Sequence, residues 1–236
     1  MFISERFRKN MMKAIKKIFF VLFKKRGLKN FLLSFNNQSL KILDVGCGNN
    51  SASRIKKHLS KCYYVGVDIE NYNCSKENEK YIDKLILSNP GSFDKAIKKI
   101  DFEFDLIISS HNLEHCLKRK EVLEAIADKL KKGGKLYLSF PSEKSISFPM
   151  RSGTLNYFKD PTHRDSPPIF KDVIRLLEDK NIDVKFACRS YKPFLGFLIG
   201  ILLEPVSIIT GKVFSFTWAL YGFEAIIHGE KNEQPN

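Results

Sequence analysis

A doubly wound α/β domain on a mainly parallel sheet is the architecture that this 236-residue sequence predicts. Three observations lead there: from Leu40 onward short apolar runs alternate with helical segments, the first run ends in glycines, and the second ends in a carboxylate. Strands that alternate with helices require crossover connections, which lay successive strands parallel.

The elements follow in order. Lys41 to Val45 reads as a buried strand running into Gly46-Cys47-Gly48, and Ser51 to Leu59 as a helix capped by Ser or Asn. Tyr63 to Asp68, Lys84 to Leu87 and Phe104 to Ser109 are the next strands. Glu121 to Lys131 is a helix stopped by Gly133-Gly134, and Lys135 to Phe140 is a strand ended by Pro141. Residues 141–170, rich in Pro, Ser and Gly, read as a loop over the sheet edge, too polar for core. Asp172 to Asp179 is a helix, and Val184 to Arg189 and Phe223 to His228 are late strands. Between them, residues 193–220 form an apolar helical insertion. Its run Phe194 to Leu203 is interrupted by Glu204-Pro205, short of the ~20 residues needed to span a bilayer.

With 43% hydrophobic and 28% charged residues the composition is that of a folded globular chain. Five scattered cysteines without a C-x-x-C pair exclude a zinc ribbon and fit a reduced, cytoplasmic protein. Charge is placed unevenly. Residues 1–37 hold ten basic residues against Glu5 alone, so this segment carries +9 of the total +14. Within it Met11, Met12, Ile15, Ile18, Phe19, Leu22 and Phe23 share one helical face, with Lys13, Lys16 and Lys17 elsewhere. Such a helix can lie on an anionic membrane surface or dock on the domain from 38 onward.

The strand-turn-helix at Ile42 to Ser51 carries the chemistry. Glycines 46 and 48 let backbone approach a ligand at the carboxyl end of the first strand, where doubly wound sheets bind. Ser51 stands where a dinucleotide fingerprint would have its third glycine. Asp68, about twenty residues on at the next strand end, is placed to accept hydrogen bonds from ribose hydroxyls.

Ile42-Leu-Asp-Val-Gly-Cys-Gly48, Val65-Gly-Val-Asp68, Phe104-Asp-Leu-Ile-Ile108 with Leu113-Glu-His115, and Leu130-Lys-Lys-Gly-Gly-Lys-Leu136 resemble successive motifs of class I methyltransferases that use S-adenosylmethionine (SAM). The resemblance spans about Leu40 to Pro141. It implies a seven-stranded sheet with an antiparallel last strand and SAM bound across the first strands' carboxyl ends. Asp44, Gly46, Cys47 and Gly48 would hold the methionine part, Asp68 the ribose, and Ile69 would pack on the adenine or ribose. Ser88 or Asn89 would stand in for an acidic residue common near the adenine, and Ser109, Ser110 and His111 would line the methyl-donor side. Asp160-Pro-Thr-His163-Arg164-Asp165 resembles the segment covering the acceptor in methyltransferases associated with cell-surface polysaccharide synthesis.

Methyl transfer to a hydroxyl needs an in-line approach and a base; His163, His111 and His115 are the candidates. The expected activity is O-methylation of a sugar or lipid-linked glycan at the cytoplasmic membrane face. A lipid or quinone acceptor is the alternative, and a non-catalytic SAM-fold module that binds membrane or partner is the other. No metal is expected: His111 to His115 matches H-x-x-E-H, but that chemistry needs a long helix, and here a strand leads directly into the run. Nucleic acid is disfavoured as acceptor, because the run after the fourth strand lacks an element that would hold a flipped base.

Overall fold

The computed structural model describes residues 26–36, 38–48, 50–70 and 79–233. Seven strands form one sheet: β1 (Lys41–Val45), β2 (Tyr63–Asp68), β3 (Lys84–Leu87), β4 (Phe104–Ser110), β5 (Leu130–Pro141), β6 (Ile182–Cys188) and β7 (Glu224–Lys231). Their order is β3-β2-β1-β4-β5-β7-β6. β1 to β5 pair in parallel, whereas β7 slots antiparallel between β5 and β6. The strand order reverses at β1, with β2 on one side and β4 on the other, and that crevice is where a doubly wound sheet takes its ligand.

Both faces are covered, which is why the central strands read as continuous apolar runs. On one face Leu43, Val45, Val65 and Ile107 meet helices α3 (Phe93–Lys98), α4 (Arg119–Lys129) and α5 (Phe170–Asp179). On the other, Ile42, Tyr64 and Ile108 meet α1 (Leu28–Leu32) and α2 (Ser51–Lys56). Phe31, Leu32 and Phe35 are buried in that second layer, each worth roughly 1.5–3 kcal/mol of apolar burial. The folded body therefore extends back to Arg26, ahead of the expected boundary at residue 38. The amphipathic helix expected over Met11 to Phe23 lies outside the described residues.

Three further expectations change. The helix before β5 stops at Lys129, and Leu130 to Gly134 joins the strand. Gly133, at φ +71, and a register shift opposite Phe104 and Leu106 absorb the irregularity. Residues 141–170 are not all surface loop: Leu155 and Tyr157 are fully buried, and Asn156 and Arg151 nearly so. Finally, Pro205 does not end a helix. One helix, α6 (Phe194–Thr210), runs through it, followed by α7 (Thr217–Tyr221). Proline removes only the hydrogen bond to the carbonyl of Ile201, and Ile201 is open to water, which can take that place.

Helix α6 is inverted relative to an ordinary surface helix. Its inward side is small or polar: Gly196, Gly200 and Ser207 are buried, and a Cβ on Gly200 would come within 2.8 Å of Leu220 of α7. Glu204, its sole charge, also turns inward. Arg151 grips both carboxylate oxygens at 2.6 and 2.9 Å, and Tyr221 donates to one of them at 2.6 Å. The outward side is apolar throughout, through Leu195, Leu198, Leu202 (76% exposed), Val206 and Ile209 (84% exposed). Among the described residues no helix is long and apolar enough to cross a membrane.

Candidate active site

The turn after β1 is fixed from three sides. Gly46 has φ +81, and a Cβ there would lie 2.6 Å from that of Asn112, so neither the backbone nor the space admits another residue. The Gly46 amide donates to the carbonyl of Val67 at 2.8 Å, and the Gly48 amide donates to Asp68 Oδ2 at 2.7 Å. Asp68 Oδ1 accepts from the Ile69 amide at 2.7 Å. Glycine turn and second-strand carboxylate thus form one unit, with the two predicted motifs in hydrogen-bond contact.

Asp44 sits behind the turn, 1% exposed, its Oδ2 accepting from Ser51 Oγ and Tyr64 OH, both at 2.6 Å. Burial raises its carboxyl above the ordinary range, against the opposing pull of those hydrogen bonds. Asp68 is raised for the same reason, with the Ile69 and Gly48 amides opposing. Cys47 is buried and its thiol is pushed far up by burial, so it packs as a small apolar group and is no nucleophile. Ile69 is exposed at the rim, while the Ser88 amide donates to the carbonyl of Asp68 at 2.8 Å. Ser109, opposite Val45 in the sheet, is fully buried with its hydroxyl unpartnered among the described residues. A glycine cradle no side chain can enter, a carboxylate at its edge and an unclaimed hydroxyl beneath it fit SAM.

On the other side of β4, Ser110 Oγ pairs with Ser139 Oγ at 2.9 Å, and His111 follows in the left-handed region at φ 52. Its Nδ1 lies 3.1 Å from Glu114 Oε1 and its Nε2 3.4 Å from Glu224, and the ring packs against Trp218 and Phe223. Burial alone would lower its pKa, but the two carboxylates carry it up to about 10. His111 is therefore a clasped cation rather than a proton acceptor near neutral pH.

His115 and His163 differ. Their rings lie 4.9 Å apart between centroids, although 48 positions separate them in the chain. His163 Nδ1 donates to the carbonyl of Tyr157 at 2.6 Å, leaving Nε2 with its lone pair. Burial holds its pKa below the usual histidine value, so it stays neutral. His115 Nδ1 lies 3.0 Å from Thr162 Oγ1, whose own proton goes to Asp160 Oδ1 at 2.6 Å. The ring must then be the donor there too, again leaving Nε2 free. Residues 113–115 form a single 3-10 turn, so His111 and His115 do not share the face of a long helix as an H-x-x-E-H protease site demands. Candidate ligand atoms of Glu114, His115 and His163 nevertheless lie within 4.8 Å of one another.

Sequence reading missed the residue that holds this side together. Arg119, at the start of α4, donates to the carbonyls of Leu113 (3.0 Å), Ser166 (2.6 Å) and Arg164, and to Tyr157 OH (3.1 Å). The Arg164 amide in turn donates to the Glu114 carbonyl at 2.8 Å. The Asp160 to Asp165 loop is thereby tied over the Leu113–His115 turn. Asn112, Trp218 and Glu224 were missed as well. No local pattern marks them, since each matters only through a partner far along the chain.

A family model described as "Methyltransferase domain" matches residues 11–182. The chain belongs to the class I methyltransferase family. It is 26% identical over 114 residues to the human mitochondrial ubiquinone biosynthesis O-methyltransferase, covering 46% of this chain and 31% of that one. The chain therefore spans about a third of that relative's length. Among solved structures, a candidate sarcosine dimethylglycine methyltransferase from Galdieria sulphuraria has a TM-score of 0.56 at 16% identity, over 88% of this chain and 85% of that one. The magnesium protoporphyrin IX methyltransferase of Synechocystis, with bound SAM, has a TM-score of 0.51 at 11% identity over 98% and 86%. These two likenesses concern the fold.

Proposed function

We propose that the chain transfers a methyl group from SAM to a hydroxyl of an acceptor carried by a membrane, the first candidate being the sugar of a lipid-linked glycan. The observation that carries the methyl-transfer part is the unit formed by Gly46, Gly48 and Asp68, a cofactor cradle at the crevice of the sheet. When bound there, SAM supplies an electrophilic methyl on a sulfonium. Asp68 would hold the ribose, the Gly46–Gly48 turn the methionine part, and Ile69 the adenine or ribose face. Ser88, Ser109 and Ser110 would line the rest.

The protein's remaining work is to place a hydroxyl in line and take its proton. His163, held neutral by burial, and His115 each have Nδ1 committed and present Nε2 for that purpose, while His111 stays charged between Glu114 and Glu224. The outward apolar side of α6, together with the strongly basic segment 1–37, supports a membrane surface as the place where the acceptor is met. A lipid or quinone head group is the second reading, favoured by the ubiquinone-pathway relative.

The test is methyl transfer from labelled SAM into extracted polyisoprenoid-linked glycans and, separately, hydroxylated quinones, read by a 14-Da mass gain. Calorimetric binding of SAM, lost in Asp68→Ala, accompanies it. Failure of folded protein to bind SAM overturns the enzyme reading; methylation of a water-soluble acceptor with no lipid part overturns the membrane reading.

A further inference from the structure

We propose that Glu114, His115 and His163 form a binding site for one divalent transition cation, zinc or a neighbour of the same class, on the acceptor side of the cofactor cradle. The donor set is two imidazoles and one carboxylate, with ligand atoms within 4.8 Å of one another. This is the combination that zinc and other first-row ions take with coordination positions left over.

The hydrogen bonds around the cluster favour this use over a structural one. Both rings have Nδ1 committed, His163 to the Tyr157 carbonyl and His115 to the hydroxyl of Thr162. Each Nε2 is thereby the ring nitrogen left over to ligate a cation, the arrangement in which outer contacts hold metal-binding histidines. Glu114 is fully buried. One carboxylate oxygen is engaged by His111, whereas the other, Oε2, has no hydrogen-bond partner among the described residues. A buried carboxylate oxygen left unpaired costs stability unless something claims it. A cation beside two free imidazole nitrogens is that partner. Asp160 adds negative charge, its Oδ2 lying 3.8 Å from His163 Nε2.

Fold and loop are both required. Glu114 and His115 come from the turn after β4, and His163 comes from the loop that Arg119 straps down. With three protein ligands, the ion keeps room for an acceptor oxygen. Coordination there lowers the hydroxyl's pKa: the O–H proton leaves to water, the O–C bond forms as the C–S bond breaks, and sulfur keeps the electron pair. In the loaded state the rings serve as ligands, and the cation replaces them as the group that ionises the hydroxyl. This role rests on the methyltransferase reading; the cation site itself rests only on the side chains.

The full chain, stripped with chelator and dialysed against Zn²⁺ or Co²⁺, tests it by elemental analysis and visible absorption. We expect one equivalent per chain and Co²⁺ ligand-field bands without thiolate charge transfer. Affinity should fall at least tenfold in His163→Ala and in His115→Ala, and measurably in Thr162→Val, which loosens the outer contact. SAM calorimetry on the same samples should show the cradle intact. Substoichiometric metal in the native chain, unchanged binding in both histidine variants, or thiolate bands would each overturn the site. Zinc binding without SAM binding would sustain the site while removing the methyltransferase reading.

Discussion

The two sides of the sheet's carboxyl edge are built by different means. The cofactor side is local: a turn of three residues and a strand end twenty positions on, joined through backbone amides of Gly46, Gly48 and Ile69. The acceptor side is assembled from afar. The turn 113–115, the loop 157–166, Arg119, Trp218 and Glu224 are far apart in the chain and are joined through side chains, with Glu224 supplied by β7 between β5 and β6. A backbone-built site tolerates little change at its glycines. A side-chain-built site can be altered one contact at a time while the fold survives.

The largest effect is expected where that contrast is sharpest. Asp68→Ala removes the acceptor of two amide hydrogen bonds and the ribose contact, and SAM affinity should fall by about 100-fold or more, at roughly 1.5–3 kcal/mol for each hydrogen bond to a charged group. Calorimetry reads it; retained affinity would break the assignment of this side. On the other side, Arg119→Ala should leave SAM binding unchanged while kcat drops about tenfold, because loop 157–166 loses its strap. Equal losses in both quantities would show that the two sides are not separable.

A smaller effect concerns the second core layer. His228 lies among Phe31, Tyr137 and Phe186 and donates from Nε2 to the Arg26 carbonyl at 2.9 Å. Burial lowers its pKa from 6.5 to about 4. Between those values the unfolded chain takes up a proton that the folded chain refuses. Its contribution is therefore complete above about pH 6.5 and lost as the pH falls toward 4, by at most about 2–3 kcal/mol. Denaturant titrations at pH 7 and 4.5, native against His228→Phe, measure it; identical pH dependence would remove the cause. The smallest change in stability is expected for Leu202→Glu and Ile209→Glu on α6, within about 0.5 kcal/mol because both are exposed. The same pair should abolish sedimentation with anionic liposomes at low salt, and unchanged sedimentation would shift membrane contact away from α6.

What the sequence disclosed follows the same division. β1, β2, β4 and the Gly46–Asp68 pairing were legible because period, glycine placement and a carboxylate at a strand end are local signals. Pro205 misled because α6 runs through it, with Ile201, whose carbonyl loses its helical partner, on the exposed side of the helix. The 141–170 segment misled because its composition is polar while Leu155 and Tyr157, single apolar residues within it, carry the burial. His163 could be named from its motif, but not its neighbour: nothing local brings it to His115. Nor could the state of His111 be read, since half of its clasp comes from Glu224, 113 positions later.

The tilted contact of His111 with Trp218 has one more consequence. Trp218 is the chain's single tryptophan, and it stands on α7, the helix packed against the small-residue side of α6, with its ring 5.2 Å from an imidazole at the edge of the reaction centre. Protonated imidazole quenches indole emission, so the molecule carries its own optical gauge. Any event that shifts the insertion relative to the sheet, whether acceptor entry or contact with a lipid surface, is registered as a change in fluorescence without a label.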